Sequence, residues 1–183
     1  MTEEIKRIVE KTYIEKDYGH FISRCHGKIG FIDELLAAAR TKFGKADVWE
    51  LPDDPCAEIH FDVSGFAKND FKIRYTSVLS ISKIVDMYYL QHEFEVDNPD
   101  PDCMEPFPCG FGDTPYCKLQ YSLEEAVCGF LSEKGFKRLS YAEREEVIPE
   151  VEMPHNEIFG TQMTVEYAVF KDMWGLCETE ENQ

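Results

Sequence analysis

The feature that most constrains the fold is an alternation of apolar and polar side chains that begins at residue 57. In AEIHFDVS, residues 57–64, the apolar side chains of Ile59, Phe61 and Val63 alternate with polar ones. Successive side chains of a strand point to opposite faces, so this pattern predicts a half-buried strand. FKIRYTS, residues 71–77, repeats the pattern, and GFAKND between the two segments predicts a hairpin connection.

The alternation continues over VLSISKIVDMYY, residues 78–89, and then changes phase. Apolar residues occupy odd positions as far as Met87. Beyond that point the apolar side of the strand is formed by even positions, His92, Phe94 and Val96. Such a change is typical of a bulge or bend, which we predict at Tyr88–Tyr89. Because residues 71–96 exceed the length of an ordinary strand, we also predict a break near Ser77–Ser82.

Helical patterns flank these strands. Thr2 is a candidate N-cap for a helix in TEEIKRIVEKTY, and FIDELLAAARTKFG predicts another helix. SLEE at 122–125 and SYAE at 140–143 fit the capping-box pattern, and Gly135 is positioned to end the first of these two helices. EVIPEVEMPHNEIFG, which prolines interrupt, predicts a connection, and the segment from Met163 to Val169 alternates like a last strand.

Together these patterns predict a single α+β domain over residues 1–183 with a mostly antiparallel β-sheet. N-terminal helices occupy residues 1–46, and a C-terminal helix–helix–strand segment packs on one face of the sheet. Residues 97–117 contain five prolines and two glycines and predict a long loop. The acidic residues 178–183 predict a disordered tail.

Charge is distributed unevenly along the chain. The net charge is −17, and residues 1–50 hold nine basic and nine acidic side chains, so residues 51–183 carry the whole excess. Between residues 84 and 117 there is no Lys or Arg but there are eight carboxylates. Such a field repels nucleic acids and anionic membranes and attracts basic surfaces. It therefore predicts a basic protein partner and no direct nucleic-acid or membrane binding, although acidity can also serve solubility alone.

The remaining composition favours a cytoplasmic protein. No apolar run approaches the roughly 20 residues of a membrane span, and MTEEIKRIVEK lacks the apolar core of a signal peptide. The seven cysteines are odd in number and irregularly spaced, so we expect most of them to be reduced.

Two groups of residues are candidates for chemistry. His60 and Asp62 share one face of the first strand with Glu58, and such a set can bind a divalent metal or act as acid and base. A polar outer face of an antiparallel strand has the same pattern. His92 follows the alternation of Phe94, so it is predicted to be a buried, hydrogen-bonded residue that cannot share an ion with Glu93.

The other candidate sites lack the spacing that their chemistry needs. Asp97, Asp100, Asp102 and Glu105 have the composition of a calcium loop without its pattern of alternating ligands and glycine. Cys103, Cys109 and Cys117 contain no C-x-x-C pair. We find no nucleophile elbow, P-loop or dinucleotide motif, and no cofactor is predicted.

In these properties the chain resembles the immunity proteins that neutralise bacterial toxins, which are small, acidic and cytosolic. The resemblance implies an acidic binding protein that docks a basic partner, and a DNA mimic would use the same logic. The candidate partner-binding residues are Glu93, Glu95, Asp97, Asp100, Asp102, Glu105, Glu143, Glu146, Glu150 and Glu152. The alternatives are a metal-assisted hydrolase that uses His60, Asp62 and His92, and a structural or accessory protein of a phage or host complex.

Overall fold

The fold is α+β, as predicted, with a six-stranded, mostly antiparallel sheet. The computed structural model describes residues 1–43, 46–49, 54–97, 100, 102, 109–156 and 160–177. The helices are α1 (Glu3–Val9), α2 (Gly19–Cys25), α3 (Ile32–Phe43), α4 (Lys118–Glu133), α5 (Tyr141–Arg144) and α6 (Val165–Val169), and a π-helical turn, Glu10–Ile14, continues α1. The strands are β1 (Ala46–Trp49), β2 (Cys56–Lys68), β3 (Phe71–Ser82), β4 (Met87–Asp97), β5 (Cys109–Gly112), β6 (Lys137–Arg138), β7 (Val147–Asn156) and β8 (Gly160–Thr164).

Strands β1 to β5 lie in sequence order, and each is antiparallel to the next. The hairpin predicted between β2 and β3 is present but tighter than expected, because β2 extends to Lys68 and only Asn69 and Asp70 form the turn. Strand β6 joins the sheet beside the start of β4 and runs parallel to it. Strands β7 and β8 form a separate two-stranded sheet.

The irregularities of the sheet lie at other positions than the sequence predicts. The break falls at residues 83–86, after β3, rather than within Ser77–Ser82. No bulge occurs at Tyr88–Tyr89, because the register of β3 and β4 is continuous from Ile81↔Tyr88 to Lys72↔Asp97. The apolar parity changes there because both faces of β4 are buried at its start. The register shift lies instead in β2, between Asp62 and Ser64.

Two apolar cores lie on the two faces of the sheet. Helices α3 and α4 cover one face over its length, and Leu90 of β4 packs beneath them with Leu123 of α4. We call this the helix-covered face. Tyr89 points to the opposite face, where it joins a second core built from α1, β7, β8 and α6. The rest of that face carries polar side chains, and we call it the open face.

Capping groups confirm several predicted helix ends. The Thr2 side chain accepts a hydrogen bond from the Ile5 amide at 3.3 Å, and Ser140 forms the predicted capping box with Glu143. Gly135 has φ +87°, as expected for the left-handed residue that ends a helix. The predicted start at Ser122 is wrong, because α4 begins at Lys118 and Ser122 lies in its second turn.

The C-terminal third differs most from the prediction. Residues 147–156, predicted to be a connection, form β7, and residues 165–169, predicted to belong to a strand, form α6. Prolines are tolerated in β7 because each strand of a two-stranded sheet has one unpaired edge. The predicted loop 97–117 is shorter than expected, because it contains β5 and its first residue, Asp97, belongs to β4. The predicted tail 178–183 lies outside the described residues.

A disulfide joins Cys25 of α2 to Cys177 near the C-terminus. Cys56, Cys109, Cys117 and Cys128 are free, in agreement with the expectation that most of the cysteines are reduced, and Cys25 and Cys177 depart from it. Disulfides are more common in oxidising compartments than in the cytosol. No helix in the described part of the chain is long and apolar enough to cross a membrane.

Candidate binding surface

Polar side chains cover the open face in rows that run across the strands. In β2 the predicted alternation is correct: Ile59 and Phe61 are buried, whereas His60 and Asp62 are exposed. The register places Asp62 beside Thr76, Thr76 beside Glu93 and Glu93 beside Phe111. The adjacent row contains Arg74, Glu95 and Cys109.

These two rows line a cavity of about 540 Å³, which we call the acidic cavity. Its lining residues are Asp62, Arg74, Thr76, Glu93, Phe94, Glu95, Cys109, Gly110 and Phe111. After the register shift that follows Asp62, β2 continues along β3 with Gly65 opposite Arg74. The cavity thus brings together Glu93 and Glu95, two of the predicted partner-binding residues, with Asp62 from the alternative metal site.

One cation within the cavity neutralises part of its charge. The Arg74 guanidinium lies 2.8 Å from a Glu95 oxygen and 3.6 Å from an Asp97 oxygen. Lys72 lies 4.0 Å from the other Asp97 oxygen. The charges of Glu95 and Asp97 are therefore largely balanced within the chain.

Glu93 and Asp62 differ from these carboxylates because neither forms an ion pair within the described residues. Glu93 is held by neutral donors: Thr76 Oγ1 donates to it at 3.2 Å and Gln91 Nε2 at 2.6 Å. These hydrogen bonds orient the carboxylate and leave its charge in place. The acidic cavity therefore presents two carboxylates that have no ion-pair partner in the described residues, one on β2 and one on β4, with Thr76 of β3 between them.

Exposed aromatic residues lie at the same end of the sheet. Phe111 is 62% exposed at the edge of the cavity, and Phe66, near the tip of the β2–β3 hairpin, is 55% exposed. The Phe94 and Tyr116 rings pack edge to face at 4.8 Å on the helix-covered side. Gly110 is required beside them, since a Cβ there would lie 2.5 Å from the Phe94 ring.

His92 is buried on the helix-covered face, as predicted. Its Nδ1 lies 2.9 Å from Ser77 Oγ, and its Nε2 lies 2.9 Å from Glu124 Oε2. Arg138 donates to the same Glu124 oxygen at 3.0 Å. Burial lowers the pKa of His92, although the Glu124 carboxylate opposes that shift. The imidazole is therefore a neutral link between the sheet and α4, with Nε2–H donating to Glu124 and Ser77 donating to Nδ1.

The Ser77–His92–Glu124 arrangement has the composition of a catalytic triad but not its accessibility. Ser77 and His92 are both 0% exposed, so no substrate can reach the hydroxyl. His92 also lies on the opposite face of the sheet from His60 and Asp62, so the structure does not assemble the proposed three-residue metal site. Within the described residues, no group of three or more His, Cys, Asp or Glu side chains is positioned to hold a metal ion.

A second, smaller cavity occupies the open face at the start of β4, where α5 and α6 cover the sheet. Its volume is about 280 Å³, and its lining includes Glu58, Tyr89, Arg144 and Glu166. Burial raises the pKa of Glu166. Burial also acts to raise the pKa of Glu58, but Lys171, at 3.1 Å, and His60 hold it below its usual value. Arg144 lies over the Tyr89 ring at 4.2 Å and 3.6 Å from Glu166, so the charged groups are paired within the chain.

The remaining predicted partner-binding residues divide into three groups. Glu143 belongs to the capping box, and Glu146 pairs with the N-terminal ammonium group, so both serve the fold. Glu150 and Glu152 are exposed on β7. Asp100 and Asp102 are exposed, with the Asp102 amide donating to Asp100 at 3.0 Å, and Glu105 lies outside the described residues.

Sequence reasoning missed Arg74 and Phe111, which the register brings to the acidic cavity. The alternation of β3 indicates only that Arg74 points outward, and Phe111 lies within the predicted loop 97–117. A signal was present for Arg74, since it is the only Arg between residues 41 and 137.

No protein-family model matches the chain, and it matches no curated protein and no solved structure.

Proposed function

We propose that the chain is an acidic binding protein whose acidic cavity receives a cationic side chain of a basic protein partner. The observation that carries the proposal is that Asp62 of β2 and Glu93 of β4 line one cavity on either side of Thr76, and that neither forms an ion pair within the described residues. A guanidinium or ammonium group that enters the cavity over Thr76 would be attracted by both carboxylates and would form a charge-assisted hydrogen bond with the one that it contacts. The cavity volume of about 540 Å³ is ample for one such side chain.

The neighbouring contacts favour recognition of a protein. Interfaces combine buried aromatic anchors with charged groups at their margins. Here the exposed Phe111 adjoins the cavity, and Phe66, near the tip of the β2–β3 hairpin, is exposed at the same end of the sheet. An exposed aromatic ring beside carboxylates that form no ion pair in the described part of the chain matches a partner that offers both basic and apolar side chains.

Arg74 gives the site a second property. It occupies the cavity beside Glu95 and Asp97 and holds the position that a partner's cation would otherwise take. An arriving basic side chain therefore meets Asp62 and Glu93 first, and Arg74 repels a cation that is placed one row too far along the sheet. Like charges in the wrong register disfavour incorrect docking, so Arg74 contributes to specificity.

An immunity-type inhibitor of a basic toxin and a DNA mimic would both use such a surface. Both neutralise a basic protein by occupying its anion-binding groove, and electrostatic steering would speed their association. Under this proposal the protein acts in the cytoplasm. A role within a phage or host complex requires the same kind of contact and differs in the identity of the partner.

The test is affinity capture from the native host with variants of matched charge. The cavity variant is Asp62→Asn/Glu93→Gln, and the control is Glu125→Gln/Glu133→Gln, which removes the same charge from exposed positions on α4. We expect the wild type and the control to retain one basic protein that the cavity variant and Phe111→Ala lose. Equal retention by the cavity variant, or recovery of an acidic partner, would reject the proposal.

A further inference from the structure

A basic cleft lies near the start of β4, at the opposite end of that strand from the acidic cavity. It has a volume of about 330 Å³ and is formed by α1, the π-helical turn, α2 and residues 84–86. Its lining residues are Glu4, Arg7, Ile8, Lys11, His20, Arg24, Ile84, Val85 and Asp86. A smaller cavity of about 280 Å³ shares Arg24 and Asp86 with it and adds Lys28 and Lys83. In a chain of net charge −17, the two cavities together join five Lys or Arg side chains with two carboxylates.

Basic side chains reach this cleft in pairs four residues apart. Arg7 and Lys11 lie on one helical segment, and His20 and Arg24 lie on the next. Side chains with this spacing share a helix face, and the like charges of Arg7 and Lys11 therefore repel each other. Arg7 has no ion-pair partner in the described residues, whereas Lys11 lies 3.4 Å from an Asp17 oxygen. An anion bound beside Arg7 and Lys11 would relieve this repulsion.

Arg24 is held in position on one wall of the cleft. Its Nε donates to the Lys83 carbonyl at 2.6 Å, and one terminal nitrogen lies 3.2 Å from Asp86. Guanidinium carries five N–H donors, so these contacts fix the group while leaving donors for a ligand. A planar guanidinium matches the oxygens of a phosphate group better than an ammonium does.

The base of the cleft is apolar, and its backbone is irregular. Ile8, Ile84 and Val85 are buried beneath the cationic rim. Lys11 lies on the π-helical turn, a conformation that is rare and often occurs at functional sites. Lys16, which follows the turn, has the uncommon φ of +58°. This turn is anchored from below, since Tyr13 donates to the Ala168 carbonyl at 2.9 Å.

From these contacts we infer that the basic cleft binds a small phosphorylated molecule. Arg7, Lys11, His20 and Arg24 hold the phosphate, and its apolar or planar body lies on Ile8, Ile84 and Val85. The cleft volume is at the lower end of the range for small-molecule sites, which suits a ligand of this size. This site shares no residue with the acidic cavity, so the inference is independent of the proposed function.

The test is a nuclear magnetic resonance titration of the full ¹⁵N-labelled chain with phenyl phosphate at low ionic strength. We expect saturable amide shifts confined to residues 4–24 and 82–86, and none from phenol, which has the ring without the phosphate. Arg7→Ala should weaken binding at least tenfold, as the loss of a charge-assisted hydrogen bond does, and His20→Ala should weaken it as well.

Lys6→Ala is the matched control, because Lys6 is the exposed neighbour of Arg7, pairs with Glu3 at 2.6 Å and does not line the cleft. It should leave the affinity within twofold of the wild type. The inference is overturned if Lys6→Ala and Arg7→Ala weaken binding equally, if the shifts scatter over the surface, or if phenol binds as well as phenyl phosphate.

Discussion

At the scale of single residues, the side chains beneath the binding surface are held by a buried polar network. His92 satisfies both ring nitrogens, one with Ser77 of β3 and the other with Glu124 of α4. Arg138 completes the network by donating to Glu124 and to the Asp113 carbonyl at 3.0 Å. The network ties α4 to the centre of the sheet, on the face opposite the acidic cavity. Its energetic weight can be measured residue by residue.

Glu124→Ala should destabilise the fold by about 2–3 kcal/mol, because hydrogen bonds to charged groups are among the strongest and both partners would lose theirs. Chemical denaturation measures the change in the free energy of unfolding. Glu125→Ala is the control: Glu125 is the exposed neighbour on the same helix, and its loss should change stability by less than about 0.5 kcal/mol. Equal effects of the two substitutions would mean that the network contributes nothing beyond helix propensity.

The same network predicts a dependence of stability on pH. Burial lowers the pKa of His92 below the value of about 6.5 that the unfolded chain would have. Between the two values the unfolded state binds the proton and the folded state does not, so stability is complete above about pH 6.5 and falls as the pH decreases. Urea denaturation at pH 7.5 and pH 5.5 should show a larger loss for the wild type than for His92→Gln. The same loss in both proteins would assign the effect to other groups.

At the scale of elements, the end of α4 offers a controlled comparison of two glycines. Gly135 follows the helix with φ +87°, and a Cβ there would meet nothing within 4 Å, so any cost of a side chain is conformational. Gly129 lies inside the same helix, also with open space around it. Gly135→Ala should therefore destabilise by about 1 kcal/mol, whereas Gly129→Ala should stabilise by about 0.5–1 kcal/mol. Thermal unfolding of both variants checks the signs, and a neutral Gly135→Ala would contradict the assigned role.

Strands with one buried face could be predicted from the sequence, because alternation is a local signal. The pattern of Ile59 and Phe61 identified β2, and that of Phe94 identified the buried side of His92. Elements whose burial depends on distant segments could not be predicted in the same way. Val165 and Val169 look like strand residues, but α6 packs them into a core with α1, and this contact overrides their local preference.

The candidate binding surface could likewise be predicted only where the signal is local. The outward direction of Asp62 and Glu93 was predictable from period two, but their proximity depends on the register of three strands. The partner of His92 lies 32 residues away along the chain on a different element, and no local pattern indicates it. Cys25 and Cys177 are separated by 152 residues, so their pairing was equally invisible.

At the scale of the whole molecule, that disulfide links the end of α2 to Cys177, the last residue that the structure describes. Replacing both residues, Cys25→Ala/Cys177→Ala, should lower the free energy of unfolding by roughly 2–5 kcal/mol, because the open chain gains entropy when unfolded. A reductant should destabilise the wild type by a similar amount and leave the double variant unchanged. Cys109→Ala, at an exposed free thiol, is the control. A wild type insensitive to reductant would show that the bridge does not stabilise the fold.

The net charge of −17 acts together with the acidic cavity at this scale. The total field is long in range and draws any basic protein toward the molecule, whereas Asp62 and Glu93 act only on a docked side chain. The two contributions separate in the kinetics of association and dissociation. Charges that steer mainly affect the association rate, and charges buried in the contact mainly affect the dissociation rate.

The association rate with the captured basic partner should therefore fall steeply with salt. Raising the ionic strength from about 0.01 M to about 0.1 M shortens the Debye length from about 30 Å to about 10 Å, so the long-range field is lost before the contact is. We expect stopped-flow rates to fall at least about tenfold over that range, within the span known for steered association. Asp62→Asn/Glu93→Gln should also speed dissociation, whereas Glu125→Gln/Glu133→Gln, with the same total charge, should not. An association rate independent of salt would remove electrostatic steering from the proposal, and equal dissociation rates of the two variants would remove the acidic cavity from it.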